Sequence, residues 1–351
     1  MKYLRGSAIF VVLASMSLAG QVHAQKLPDV DQAINDKLPN PFDGPVENWV
    51  KFEGDRKLGA TIGLSFDSKG HLWAVDRCGG TSCENSTVAP IFEIDPKTGK
   101  VLRSFGGGLL VVPHDIFVDQ NDHDNVWVSD QSASKGKDKG EQVWKFSPEG
   151  KVLLTLGKAG QKGDAPDTFN DPTSMVTGKN GDIFVSDGHN ARGPVARIVK
   201  FDKTGKFIKV ISHKGSGPGE LSEPHSITID KEGRLLVADR GNVRVSIFDQ
   251  EGNFIAAWKQ FGIPTQVYVD KKTDTLYVAD NFIRPEAPDA HRGVRIGSAK
   301  TGKVQYFIED PDQNPKEISL GPDAAKGDGK GTFYIGENDR KTIKKFTMKK
   351  K

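Results

Sequence analysis

The sequence predicts an all-β fold, a six-bladed β-propeller with four antiparallel strands in each blade. A pattern of strand, tight turn and second strand occurs six times. The acidic residue that ends the second strand recurs at intervals of roughly 40 to 57 residues, which is the range of propeller blades. The 39 glycines and 19 prolines supply the turns that many short strands need. A β-sandwich is the competing all-β fold, but it does not predict such similar repeats.

The repeats share one order of residues, in which a Pro opens the first strand and an Asp ends the second. The clearest repeat runs from Pro224 to Asp239. Two further strands follow, such as 142–146 and 151–157 in the second repeat, and stacking four-stranded sheets around an axis covers both faces of each sheet. The two leading strands of each repeat are predicted at 63–67 and 73–76, 113–119 and 126–130, 172–176 and 182–187, 224–230 and 234–239, 264–270 and 276–280, and 322–325 and 333–337.

The N-terminus has the features of a secretory signal peptide over residues 1–24. Lys2 and Arg5 precede an apolar run at 8–19, and Ala24 ends a motif suited to cleavage. The apolar run is too short to span a bilayer comfortably. We therefore expect an exported protein, periplasmic or extracellular.

The remaining chain divides into a linker or strap at 25–44 and the propeller at 45–351. Residues 46–52 alternate in polarity, so we predict a strand there that completes the last blade and removes a free sheet edge. No later stretch is long and apolar enough for a membrane helix.

The charge is nearly balanced, with 49 basic and 46 acidic residues and a formal net charge of +3. This balance gives no reason to expect nucleic acid as a partner. We expect a monomer that takes a small molecule or a peptide at the channel mouth.

Cys78 and Cys83 are predicted to form a disulfide, because export favours oxidation and a zinc site needs about four ligands.

The residue after the repeat Pro has the same place in every blade, at the start of the innermost strand. Propeller symmetry should therefore bring these residues together around the mouth of the central channel. Two are histidines and one is a carboxylate, a combination that suits Zn²⁺, Cu²⁺ or Fe²⁺, or Ca²⁺ through oxygen ligands. The alternative is that the histidines only pack and hydrogen-bond. The residues are His114, Thr173, His225, Thr265 and Asp323.

A second ring of residues directly follows the strand-ending Asp and includes Arg77, His189 and Arg240. The two arginines are candidates for binding a carboxylate, or alternatively for pairing with Asp76 and Asp239. His189 is a candidate acid, base or metal ligand. The recurring Asp residues are expected to order their turns through side-chain to backbone hydrogen bonds.

From residue 63 to 346 the chain resembles the peptidyl-α-hydroxyglycine α-amidating lyases, which are six-bladed propellers of the NHL type. The paired Pro-His motifs are more specific to this family than the general NHL pattern. The segments that carry the resemblance are Val111-Val112-Pro113-His114-Asp115-Ile116, Val185-Ser186-Asp187-Gly188, Glu223-Pro224-His225-Ser226-Ile227, Val237-Ala238-Asp239-Arg240 and Tyr334-Ile335-Gly336 with Lys345-Phe346-Thr347.

In that family three such histidines hold zinc, and a Tyr and Arg residues face the substrate. The resemblance implies that His114 and His225 are zinc ligands and that Arg77 and Arg240 take the arginine positions. The reaction it implies is cleavage of a hydroxyglycine-extended peptide to a peptide amide and glyoxylate. Zinc would polarise the hydroxyl while arginine binds the carboxylate.

The family also holds a calcium deeper in the channel, and the resemblance places Asp323 and the Ile116 carbonyl near it. Two positions depart from the family pattern. Pro322 occupies the place of the third histidine, and His189 occupies the place of the tyrosine. A zinc ion held by two histidines would then need another donor, for which His189, His291 and water are the candidates.

Three hypotheses follow for the function. The first is a metal-dependent, lyase-like enzyme with the histidines and arginines at the channel rim. The second is a non-catalytic NHL propeller that binds a protein, a peptide or a glycan. The third is a calcium-dependent propeller hydrolase such as a lactonase. This last class needs a channel cluster of Asp, Glu and Asn ligands, which the ring after the prolines does not show.

Overall fold

The computed structural model describes Leu27, Ile34, Ala287 and residues 37–284, 290–314 and 321–350. Within these residues 23 strands form six antiparallel sheets. The first strand of each sheet contacts the first strand of the next sheet, and β21 contacts β1, so the sheets close into a ring. The predicted six-bladed β-propeller is confirmed. The predicted signal peptide, 1–24, lies outside the described residues and stays a prediction.

Five blades contain four strands and the sixth contains three. The inner strands β1, β5, β9, β13, β17 and β21 line the axis, and each second strand is buried along most of its length. In chain order the strands are β1 Thr61–Phe66, β2 Leu72–Asp76, β3 Ile91–Ile94, β4 Val101–Phe105, β5 Pro113–Asp119, β6 Asn125–Asp130, β7 Gln142–Phe146, β8 Val152–Leu156, β9 Pro172–Thr177, β10 Ile183–Asp187, β11 Arg197–Phe201, β12 Phe207–Ile211, β13 Pro224–Ile229, β14 Leu235–Asp239, β15 Arg244–Phe248, β16 Phe254–Trp258, β17 Gln266–Asp270, β18 Thr275–Asp280, β19 Gly293–Ser298, β20 Val304–Glu309, β21 Pro322–Gly327, β22 Thr332–Glu337 and β23 Thr342–Thr347.

The N-terminal segment closes the ring, but not as the predicted strand at 46–52, which was wrong. Instead Phe42 forms a bridge with Met348 and Val46 forms one with Lys345, both antiparallel to β23. Pro45 has no N–H to donate, so a continuous ladder cannot form through it. The segment then leaves blade six, because Lys51 pairs with Lys100 of blade one. The free edge of β23 is covered at two points rather than along its length.

The Asp that ends each second strand orders the turn at the top of its blade, as predicted. Asp239 accepts hydrogen bonds from the Ser222 N–H at 2.7 Å and from Arg244 Nε at 2.8 Å. Asp130 accepts the N–H groups of Val111 and Val112. These carboxylates are fully buried. Each one therefore ties the segment entering the blade to the end of its second strand.

The predicted disulfide is confirmed, since the sulfur atoms of Cys78 and Cys83 are 2.03 Å apart. It closes a short loop directly after β2, at the rim that carries the second ring of residues. In the described chain, no helix combines the length and apolar character needed to cross a bilayer.

Candidate functional site

Three imidazoles converge at the top of the channel. His114 and His225 are the second residues of β5 and β13, and His189 lies two residues after β10. One ring nitrogen of each lies within 4.8 Å of those of the other two, and the Nε2 atoms of His189 and His225 are 3.1 Å apart. The site thus takes its histidines from blades two, three and four.

A bulge at the start of β5 and another at the start of β13 direct the side chains of His114 and His225 toward the axis. The register of β5 against β6 shifts between Pro113 and Asp115, so His114 is the extra residue. A similar irregularity follows Pro224 in β13. Bulges redirect a side chain out of the regular alternation. The repeated Pro therefore marks the position at which the next side chain turns toward the channel.

The neighbouring blade fixes the orientation of both inner-strand histidines. His114 Nδ1 donates to the Thr173 carbonyl at 2.8 Å, and His225 Nδ1 donates to the Thr265 carbonyl at 2.7 Å. In a neutral imidazole this leaves the lone pair on Nε2. The residue after Pro in one blade thus orients the histidine of the preceding blade, an arrangement typical of metal ligands.

The three imidazoles are neutral at neutral pH. Burial and the charge of Arg77 lower the pKa of His114 to about 3. Burial, followed by the charge of Arg240, lowers the pKa values of His189 and His225 well below the ordinary range. Neutral imidazole is the form that binds metal ions.

Arg240 is next to the histidines and does not pair with Asp239, which bonds Arg244 instead. Its Nη2 donates to Glu223 at 2.6 Å and to His189 Nε2 at 3.4 Å. Its guanidinium carbon lies 4.6 Å from the centre of the Phe282 ring. The Nε atom of Arg240 is buried and has no hydrogen-bond partner among the described residues. The arginine is therefore held against the site with donor capacity left over.

Arg77 also remains available, because Asp76 pairs with Arg56 at 2.8 Å. Within the described chain, the Arg77 side chain makes one hydrogen bond, from Nε to the Pro113 carbonyl at 3.5 Å. Burial lowers its pKa, and the charges of Asp323, Asp339 and Asp130 oppose that shift. In the part of the chain that the structure describes, Asp76 and Asp239 thus pair with Arg56 and Arg244, and the alternative in which they pair with Arg77 and Arg240 is not observed.

Asp323 lies in the extra position of a bulge at the start of β21 and is buried. Its Oδ1 has no hydrogen-bond partner among the described residues. Burial raises the pKa of Asp323 to about 6, against the charges of Arg240 and Arg77. Pro322 brings no nitrogen to the site. His291, the other candidate donor, instead bonds exposed Glu309 at 2.8 Å.

Sequence reasoning missed three residues that support the site. Glu223 accepts hydrogen bonds from both Arg240 and Arg284, and Phe282 lies beneath the two guanidinium groups. Glu223 has a φ of 59°, an uncommon conformation for a residue with a side chain. In the sequence, the feature that could have pointed to Glu223 is its position directly before the Pro224-His225 motif.

A second cluster of possible ligands contains Asp67, His71 and Glu93 in blade one. His71 Nδ1 is 2.6 Å from Glu93 Oε1, and Arg103 pairs with the other oxygen of Glu93 at 2.6 Å. Both oxygens of Glu93 are thus already engaged by side chains of the protein. The three-histidine group is therefore the stronger candidate.

Comparison with known proteins relates the chain to propellers and to amidating enzymes. A family model described as a 6-bladed β-propeller matches residues 173–259. Peptidyl-glycine alpha-amidating monooxygenase B of Xenopus laevis is 30% identical over 321 residues, covering 84% of this chain and 34% of that protein. Peptidyl-alpha-hydroxyglycine alpha-amidating lyase 1 of Drosophila melanogaster is 34% identical over 219 residues, covering 55% of this chain and 38% of that protein.

The chain spans about a third of the length of the first curated relatives it matches. Among solved structures, XC5397 of Xanthomonas campestris, described as a gluconolactonase, aligns with a TM-score of 0.57 at 13% identity. That alignment covers 84% of this chain and 88% of the other. At this identity the similarity establishes the propeller fold and nothing about the reaction.

Proposed function

We propose that this chain, a six-bladed β-propeller homologous to the peptidyl-α-hydroxyglycine α-amidating lyases, is a metal-dependent enzyme with lyase chemistry. Its metal ligands are His114, His189 and His225. His189 thereby supplies the third nitrogen that Pro322 cannot supply. The arginines at the rim bind the substrate.

One observation carries this proposal. His225 donates through Nδ1, so its Nε2 holds a lone pair. Arg240 can only donate, so His189 Nε2, which lies 3.4 Å from Arg240 Nη2, also presents a lone pair. These two Nε2 atoms are 3.1 Å apart. Two lone pairs at that distance repel each other, and a metal ion held by both nitrogens would remove that repulsion.

Zinc fits the donors best. Zinc takes nitrogen ligands at about 2.0–2.1 Å in a tetrahedron, which separates two ligands by roughly 3.3 Å, near the observed Nε2 distance. Three protein ligands leave the fourth position open, as in catalytic zinc sites. A zinc ion bound there would act as a Lewis acid toward a substrate oxygen.

The proposed reaction cleaves the bond between the amide nitrogen and the hydroxyl-bearing carbon of a hydroxyglycine-extended peptide. The hydroxyl loses its proton as the aldehyde of glyoxylate forms, and the amide nitrogen gains a proton. Arg240, oriented by Glu223, and Arg77 bind the carboxylate of the substrate. Their charge also favours the alkoxide that develops as the bond breaks.

A structural calcium is a separate proposal. The buried Oδ1 atom of Asp323, which has no hydrogen-bond partner among the described residues, supports a cation close to it. The Ile116 carbonyl is the second oxygen that we assign to that cation. Export of the protein is likewise proposed, supported by the Cys78–Cys83 disulfide.

The test is metal analysis of the purified protein without residues 1–24, beside the His114→Ala/His225→Ala variant. We expect near-stoichiometric zinc that is lost in this variant, and release of glyoxylate from an α-hydroxyglycine peptide by the wild type. The control is His213→Ala, whose side chain is 78% exposed. Unchanged metal content in the double variant would refute the metal site.

Two further outcomes would favour the alternatives. Zinc without turnover of any hydroxyglycine peptide would support a binding propeller for a protein, a peptide or a glycan. Calcium as the sole metal, together with lactone hydrolysis, would support a calcium-dependent hydrolase.

A further inference from the structure

A cavity of about 800 Å³ opens at the end of the channel opposite the histidines. His114 and His225 lie at the starts of inner strands and His189 follows the end of β10, whereas this cavity is lined by the later parts of all six inner strands and by the turns that follow them. Its volume is in the range of small-molecule sites. The three histidines do not line it. It is therefore a separate feature of the fold.

Lys326 supplies a cation deep in this cavity. It belongs to inner strand β21, lines the cavity and is 9% exposed. Its Nζ lies 4.6 Å from the centre of the Tyr268 ring. Within the described residues no carboxylate forms an ion pair with it. A buried ammonium group without an ion-pair partner is costly, and an anion in the cavity would offset that cost.

The carboxylate that most influences Lys326 is committed to other partners. Asp115 Oδ2 accepts the Ser174 hydroxyl at 2.6 Å, and its Oδ1 accepts the Ile116 N–H at 2.8 Å. Burial lowers the pKa of Lys326, and the charge of Asp115 only opposes that shift. The Lys326 amine thus remains available to a ligand, and an anion beside it would favour its charged form.

The turns after the inner strands surround the opening with further lysines. In these turns the Asp side chains accept backbone N–H groups of their own turn, as Asp270 does from Lys272 and Asp328 does from Lys330. The carboxylates are thereby bound to backbone, while the lysine side chains extend toward solvent. The lysines that line the cavity are Lys69, Lys97, Lys271, Lys272, Lys326, Lys330 and Lys345.

We propose that this cavity binds a small organic anion that carries a carboxylate or a phosphate group, with the anionic group at Lys326. The organic part is inferred from the walls, which include the aromatic rings of Phe66, Phe117, Tyr268 and Tyr334. Aromatic walls with a few polar or charged groups are typical of small-molecule sites, and an apolar part of the anion would pack against the rings. The proposal is independent of the zinc site and of the lyase reaction, whereas Ile116, whose carbonyl we assign to the proposed calcium, also lines the cavity.

The test is isothermal titration calorimetry of the full mature chain with isophthalate and with phenyl phosphate at fixed ionic strength. Benzamide, which is uncharged, is the control ligand. We expect at least one anion to bind and benzamide not to bind. The two anions distinguish the carboxylate class from the phosphate class, and saturable binding of either supports the site.

Variants locate the binding. Lys326→Met is expected to weaken binding by about tenfold or more, the effect of losing one buried charge contact. Lys272→Ala/Lys330→Ala, at exposed rim positions, should weaken it severalfold and reduce its salt dependence. Lys135→Ala/Lys151→Ala, at exposed positions outside the cavity, should leave it unchanged. The His114→Ala/His225→Ala variant should also bind normally.

Three results would overturn the proposal. They are the absence of binding by both anions, equal binding by Lys326→Met, and loss of binding in the histidine variant. If Lys326→Met does not fold, the rim variant decides, and wild-type affinity in that variant would overturn the proposal as well.

Discussion

Glu223 accepts a hydrogen bond from Arg240 at 2.6 Å, and this ion pair is almost completely buried, with side chains 8% and 4% exposed. Arg284 donates to the other oxygen of Glu223 at 2.9 Å. One carboxylate therefore holds two arginines beside the histidines. Its position directly before Pro224 couples the start of inner strand β13 to the two arginines.

Glu223→Gln should lower the free energy of unfolding by about 3 kcal/mol, because it leaves the buried Arg240 cation without its counter-charge. Chemical denaturation measures this change. Glu232→Gln, in the turn after β13, is the matched control and should change stability by less than about 0.5 kcal/mol. Equal stabilities of the two variants would contradict this account of the ion pair.

His189→Ala should weaken zinc binding by more than the roughly 10–100-fold that is typical of losing a ligand's supporting partner, because it removes one of the three proposed ligands. Competition with a chromophoric chelator gives the affinity. His291→Ala is the control, since His291 bonds Glu309 away from the cluster. Should both variants bind zinc as tightly as the wild type, His189 is not a ligand.

Asp239→Asn should destabilise the fold by about 3 kcal/mol. The carboxylate accepts hydrogen bonds from the Ser222 N–H and from buried Arg244, which would lose its counter-charge. Asp202→Asn, in an exposed hairpin turn, should cost about 1 kcal/mol or less. Thermal unfolding of the two variants is a direct comparison, and similar melting temperatures would disprove a special role of the strand-ending Asp.

Phe42→Ala should cost about 3 kcal/mol, because the Phe42 side chain is 4% exposed and its ring packs edge-on against Phe333 with centroids 4.6 Å apart. Val46→Ala lies in the same segment, but Val46 is 53% exposed and the change should be nearly neutral. Urea unfolding separates the two cases. A neutral Phe42→Ala would mean that the segment contributes little to closing the ring.

The repeat pattern was sufficient to predict the blades and the convergence of His114 and His225. Both predictions depend on symmetry, since equivalent positions in a closed ring of sheets must meet at the axis. The Asp-ended strands were predicted for the same reason. A property shared by all repeats can be inferred without knowing any loop conformation.

The rest of the site depends on segments that differ between blades. His189 lies on a loop, and its direction is set by contacts with Arg240 and His225 that no periodicity encodes. The Glu223–Arg284 pair joins residues 61 positions apart through the loop after β18. The predicted strand at 46–52 was wrong because an alternating pattern does not reveal that Asn48 adopts a φ of 54°, which lies outside the β region.

The origin of the three histidines in successive blades has a consequence for the order of assembly. Blades two to four can pack against one another before residue 42 pairs with β23 and closes the ring. Arg77 and Asp323, by contrast, belong to blades one and six, the first and last blades, which meet when the ring closes. A metal ion on the imidazoles would thus stabilise a partly assembled chain as well as the complete one, and closure would add the charged groups afterwards.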